Sequence, residues 1–210
     1  MLGGVCLAKG FIESDYYEKK EIDSCDKVER LAPIIFLIMI TIIYPILFMV
    51  NSPESILPFF SDLFSGMFSF SDIFMNILIV AWVGIIIFII SIPIHEVFHA
   101  IFFAPFQKRG FKSIKIGRNH IAFYCETKEP IKVKHYIIGL MAPTVLLGIV
   151  PAIIAIAIGN IYLLFVGWIM TTLGAWDFMI LLFVMKYSRN TWLLVVPAED
   201  EIYYYQPKIF

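Results

Sequence analysis

Ile92-Pro93-Ile94-His95-Glu96-Val97-Phe98-His99-Ala100 decides how the rest of the chain is understood. Two imidazoles four residues apart fall about 40° from each other around an α-helix, so His95 and His99 can reach one metal ion from the same face. Glu96 directly follows the first of them, where a general base for a water at the metal's open position has to sit. The pattern predicts a helical zinc site with hydrolytic chemistry. From Asn76 to Phe106 only His95, Glu96 and His99 are ionisable, among Ile, Val, Phe, Ala and Trp. Such groups cost several kcal/mol in a bilayer interior unless they have partners, which marks them as a site rather than as incidental polar residues.

The composition around the motif is that of a membrane protein. Hydrophobic residues make up 60% of the 210 and charged residues 16%, against about 25% charged in a soluble domain. That length holds about four spans with short connections, so a single membrane domain over residues 33–210 is expected after an N-terminal arm at 1–32. Cys6, Cys25 and Cys125 form no metal-type spacing and leave an odd thiol under any pairing, so they are expected to be reduced. The short apolar run Val5-Cys6-Leu7-Ala8 has no basic residue before it and does not have the form of a cleaved signal peptide. The net charge of −1 is uninformative, and no nucleic-acid partner is expected.

Residues 9–30 carry five basic and seven acidic side chains, the pattern of a solvated arm that is partly helical between Glu13 and Arg30. Pro33 opens a first span over 33–50. Residues 51–75 mix Pro53, Pro58 and several serines with six phenylalanines, which suggests an interfacial connector, or a lid over the bilayer. The second span, 76–106, bears the motif near its far end. Pro93 there either kinks the helix or is an ordinary membrane proline.

Residues 107–135 hold eight basic residues. Alternation in Ile114-Lys115-Ile116 and in Ile121 to Glu126, around Gly117-Arg118-Asn119-His120, predicts a β-hairpin. Pro130 opens a further extended piece at 131–134. The charges fit a cytosolic face, or a strand edge that holds an extended substrate. A third span over 136–158 contains Gly139, Pro143, Gly148 and Pro151, and a tight Gly159-Asn160 link leads to a fourth over 161–185. The tail carries Tyr203, Tyr204 and Tyr205, suited to an interface. The fold class expected is therefore all-α membrane, with four transmembrane helices and a small cytosolic hairpin between the second and third.

All sixteen Lys and Arg residues lie in the arm (five), the 107–135 segment (eight) and the tail (three). Four spans with both termini cytosolic gather these segments on one side of the cell membrane. That topology tests the site. His99 lies about 12 Å along a helix from Gln107, and Asp177 about 14 Å from Lys186, so Asp177 arrives at the depth of the histidines. It is the fourth span's only carboxylate and the expected third ligand, leaving a fourth position for water. His120, His135, Glu126 and Glu129 compete for that place from segments that look solvated.

The motif, the Leu140-Met141-Ala142-Pro143 stretch and Gly174-Ala175-Trp176-Asp177 together resemble the family named Putative zincin peptidase, small prokaryotic membrane proteins. More distantly the chain is similar to the site-2 class of intramembrane metalloproteases, although those usually carry Asp-Gly where Asp177-Phe178 stands here. The resemblance covers most of residues 76–205 and implies peptidase chemistry without naming a substrate.

The expected activity is zinc-assisted hydrolysis of a peptide bond in or near a membrane segment. His95, His99 and Asp177 hold Zn2+, and Glu96 moves the proton. The lipid bilayer and a membrane protein or peptide substrate are the expected partners. A non-proteolytic metal-binding membrane protein, whether transporter, sensor or inactive scaffold, is the alternative. The oligomeric state is left open.

Overall fold

The computed structural model describes residues 17–21, 27–52, 54, 70–118, 123–196 and 201–207. Helix α1 runs Lys27–Asn51 and α2 runs Phe70–Phe103. Two short 3-10 turns come next, Ala104–Phe106 and Gly110–Ser113. Helix α3 (Val133–Pro143) passes through a π-helical turn, Thr144–Ile149, into α4 (Val150–Ile158). Helices α5 (Ile161–Leu173) and α6 (Ala175–Val184) complete the bundle.

Among the described residues, three helical stretches are long and apolar enough to cross a membrane: Leu31–Asn51, Ala81–Phe106 and Val133–Ile158, with mean hydropathy 2.6, 2.1 and 2.4. The α5–α6 pair, bent by 44°, makes a fourth if the two count as one span. Their outward faces are apolar and unpartnered: Ile35, Ile38, Ile42 and Ile46 on α1, and Trp82, Ile86 and Ile89 on α2, are all exposed. In water such stripes are a liability, and against lipid chains they are the normal surface.

Local chemistry accounts for the helix boundaries. Gly159 takes a left-handed φ of 67° to end α4, and the Asn160 side chain accepts the Leu163 N–H at 3.0 Å to start α5. Helix α1 begins at Lys27, ahead of Pro33, and α2 continues through Pro93 as helix. The π turn lies between Pro143 and Pro151; Pro151 has no N–H to donate to Leu147, so the regular ladder is already interrupted there.

The predicted hairpin is present. Strands β2 (Ile114–Arg118) and β3 (Phe123–Thr127) pair antiparallel, Ile114 opposite Thr127 and Arg118 opposite Phe123. The residues of its turn, including His120, fall outside those described, as does most of the 51–75 connector.

A second sheet departs from the all-helical expectation. Strands β1 (Tyr17–Glu21), β4 (Ile131–Lys132), β5 (Trp192–Val196) and β6 (Glu201–Pro207) form an antiparallel sheet in the order β1-β6-β5-β4. The arm thus contributes a strand where helix is expected, with Tyr17 opposite Pro207. Charges in the arm suggest a solvated segment, but backbone pairing does not depend on them, and it joins residues nearly two hundred positions apart.

The sheet, the hairpin and the ends of α2, α3 and α6 enclose one core, built on Phe103, Ile131, Tyr136, Leu140, Phe183 and Leu193. A smaller core of Phe48, Ala152, Ala155 and Leu164 holds α1 against α4 and α5.

Candidate metal centre

His95 and His99 occupy successive turns of α2, and their rings meet edge to face with centroids 4.8 Å apart. Both are buried, at 4% and 5% exposure. Asp177 comes to them from the first turn of α6 and is itself buried. Its Oδ2 lies 2.8 Å from His95 Nε2 and 3.4 Å from His99 Nε2. Among the described residues, these three form a group whose ligand atoms all lie within 4.8 Å of one another.

Two contacts orient the donors. The His99 Nδ1–H donates to the Gly139 carbonyl at 2.9 Å, which leaves Nε2 with its lone pair toward Asp177. The Thr144 hydroxyl, at the start of the π turn, donates to Asp177 Oδ2 at 3.5 Å. Asp177 lies in the first turn after the 44° bend between α5 and α6, and Gly174 at that bend packs closely against Thr144. A Cβ there would run into the Thr144 side chain.

The donor set fits a divalent ion. Ligand bonds of about 2.0–2.1 Å in a tetrahedral site put neighbouring donors about 3.3 Å apart. The His99–Asp177 separation of 3.4 Å meets that value, and the His95–Asp177 pair at 2.8 Å has closed into a direct hydrogen bond. Two neutral imidazoles and a carboxylate suit zinc or a similar borderline cation. His95 Nδ1 is buried and has no hydrogen-bond partner among the described residues.

The cluster lines a cavity of about 820 Å³. Glu96 lines it too, as do Tyr136 and Leu140 from α3, Trp176 from α6, and Arg118, Phe123, Tyr124 and Cys125 from the hairpin. Burial in this wall, together with nearby Glu96 and Glu126, pushes the Cys125 thiol up to about 12. Its thiol is free.

The competing candidates go elsewhere. His135 stacks on Phe106, with centroids 4.1 Å apart. Glu126 pairs with Lys115 at 2.7 Å. Glu129 is fully buried, and its two carboxyl oxygens accept the Lys108 N–H and the Ser113 hydroxyl. Gly139 and Thr144 are site residues that the sequence does not single out. They flank the Leu140–Pro143 stretch, whose pattern marks the place without revealing the role.

The fold and the site define a mostly helical protein with several helices long and apolar enough to cross a membrane and a buried His-His-Asp cluster that could hold a metal. A family model described as Putative zincin peptidase matches residues 88–192, half of the chain, and the chain belongs to that family. Membership supports a metallopeptidase and implies zinc. No curated protein and no solved structure matches the chain, so the distant similarity to site-2 proteases gains no support.

Proposed function

We propose that the protein is an intramembrane zinc metallopeptidase that hydrolyses peptide bonds in or near membrane segments, with His95, His99 and Asp177 as the metal ligands and Glu96 as the general base. The observation that carries this reading is the meeting of Asp177 with both histidines at the wall of a large cavity that Glu96 also lines.

A divalent ion held by these residues supplies Lewis acidity, polarising the scissile carbonyl and acidifying water toward a pKa of about 7. Everything else is done by the chain. Gly139 fixes the tautomer of His99, and Thr144 steadies the carboxylate of Asp177. Glu96 accepts a proton from the attacking water and delivers it to the leaving nitrogen. Apolar walls from Phe88, Ile92, Leu173 and Ile180 limit competing water and suit an apolar segment. Such a segment must give up its own helical hydrogen bonds to present an amide.

We place both termini and the hairpin in the cytosol of a multi-pass membrane protein. The positive-charge distribution supports this, and so does the second sheet. Pairing of β1 with β6 and of β4 with β5 gathers the arm, the segment before α3 and the tail on one side, which requires an even number of crossings before and after Ile131.

The deciding experiment combines metal analysis of the purified protein with cleavage of membrane-segment peptides by the wild type and by Glu96→Gln. About one zinc in both proteins, with turnover in the wild type alone, supports the reading. Equal turnover by both, or no stoichiometric metal in either, overturns it.

A further inference from the structure

Residues 107–135 contain eight basic side chains, and of these Arg118 alone lines the cavity. A charge that served only to hold this segment at the cytosolic face would have no reason to lie there. Lys115, on the opposite face of the same strand, is paired with Glu126 at 2.7 Å. Lys132 lies over the Trp192 ring. Arg118 meets no carboxylate among the described residues. Its guanidinium lies over the ring of its cross-strand partner Phe123, with the central carbon 5.8 Å from the ring centroid.

Among the described residues this is a planar, five-donor cation without a carboxylate partner, held against an aromatic face at the rim of an apolar cavity. The acids in the cavity lining, Glu96 and Asp177, sit on α2 and α6 with the histidine pair, and Asp177 is hydrogen-bonded to His95 and Thr144. The cavity offers apolar walls for side chains and one fixed positive fork, the geometry that recognises a carboxylate by paired hydrogen bonds. Arg118 is an exposed residue, so its donors are open to an incoming group.

We propose that Arg118 selects substrates that carry a carboxylate into the cavity, either the C-terminal α-carboxylate of a peptide or an acidic side chain close to the scissile bond. The inference rests on the hydrolase reading for the chemistry after binding, but the recognition step is separate from it. Arg118 binds and orients, and takes no part in proton transfer.

The test uses the full-length, zinc-loaded protein in zwitterionic detergent. Its probes are three forms of one fluorescent apolar hexapeptide of Leu, Ala and Phe: free C-terminus, amidated C-terminus, and amidated with glutamate as the last residue. Binding is read by anisotropy on the Glu96→Gln protein, and KM and kcat on the wild-type protein. At least one carboxylate-bearing form is expected to bind about tenfold tighter than the plain amide, equivalent to about 1.4 kcal/mol. The form that gains identifies whether the carboxylate is terminal or a side chain. Arg118→Gln should remove that advantage by raising KM about tenfold with kcat within about twofold, leaving the plain amide unchanged, and Arg118→Lys should keep part of it.

Equal binding of all three forms overturns the inference, as does an Arg118→Gln effect that is the same on all three. In vesicles containing anionic lipid, an equal effect of Lys112→Gln, at an exposed position outside the cavity, would make Arg118 a membrane-surface charge and also overturn it. Should the wild type cleave none of the peptides, the hydrolase reading fails on these probes, while the anisotropy comparison still decides the role of Arg118.

Discussion

Two buried acids, Asp177 and Glu129, show how differently one chemical group is used in two parts of this molecule. Glu129 is fully enclosed where the loop after α2 meets the hairpin, and donors meet both of its oxygens, the Lys108 N–H at 2.9 Å and the Ser113 hydroxyl at 2.7 Å. It ties a turn to a strand and belongs to the scaffold. Asp177 faces two imidazoles, one of them held in place by Gly139, and the three side chains converge on a cavity. Burial by itself therefore does not mark a functional carboxylate. The partners do: backbone and hydroxyl donors around one, two imidazoles able to hold a metal around the other.

The sharpest break in that comparison is Asp177→Ala. It should abolish both stoichiometric zinc and peptide cleavage, read by elemental analysis and a peptide assay, because two ligands on one helix cannot hold the ion in place of three. Retention of full zinc would remove Asp177 from the ligand set. Next in size is Glu96→Gln, for which turnover should fall by about 100-fold or more with zinc unchanged, as loss of a general base requires.

Glu129→Ala should do the reverse of Asp177→Ala. Zinc stays, but stability falls by about 1–3 kcal/mol as the buried Ser113 hydroxyl and the part-buried Lys108 N–H lose their acceptor. A lower unfolding midpoint in detergent with intact metal content is the expected pair of readings; loss of metal with unchanged stability would put Glu129 in the site.

The smallest effect expected is at Cys125. With its thiol pushed up to about 12, thiolate forms only as the pH rises toward that value. In a Cys6→Ser, Cys25→Ser background, alkylation at pH 8 should therefore run on the order of a thousandfold slower than for a free cysteine, and quicken about tenfold per pH unit. Fast labelling at pH 8 would mean that the hairpin does not cover the cavity.

Much of the helical frame can be read from the chain because hydropathy and helix boundaries are local. The tight Gly159-Asn160 link, the apolar stretches around 31–51 and 133–158 and the alternation of Ile114 to Ile116 each depend on neighbours a few residues away. The strand at Tyr17–Glu21 lies instead in a segment whose charges predict a solvated, partly helical arm, since nothing near it announces a partner in the tail. The bend at Gly174 is likewise invisible to local pattern. A glycine within an apolar run carries no sign that the Thr144 side chain will press against it.

The amino-acid sequence by itself determined the apolar helices, the pair of imidazoles on one helix face with a carboxylate beside them, and a matching depth for Asp177, because spacing along a helix is a fixed geometry. Only the tertiary structure decided that Asp177 turns toward both rings, that Gly139 and Thr144 contact His99 and Asp177, that Glu129 lies apart from them, and that Arg118 is the one basic residue of its segment to line the cavity. Those outcomes depend on side-chain packing between elements far apart in the chain, which no local pattern encodes.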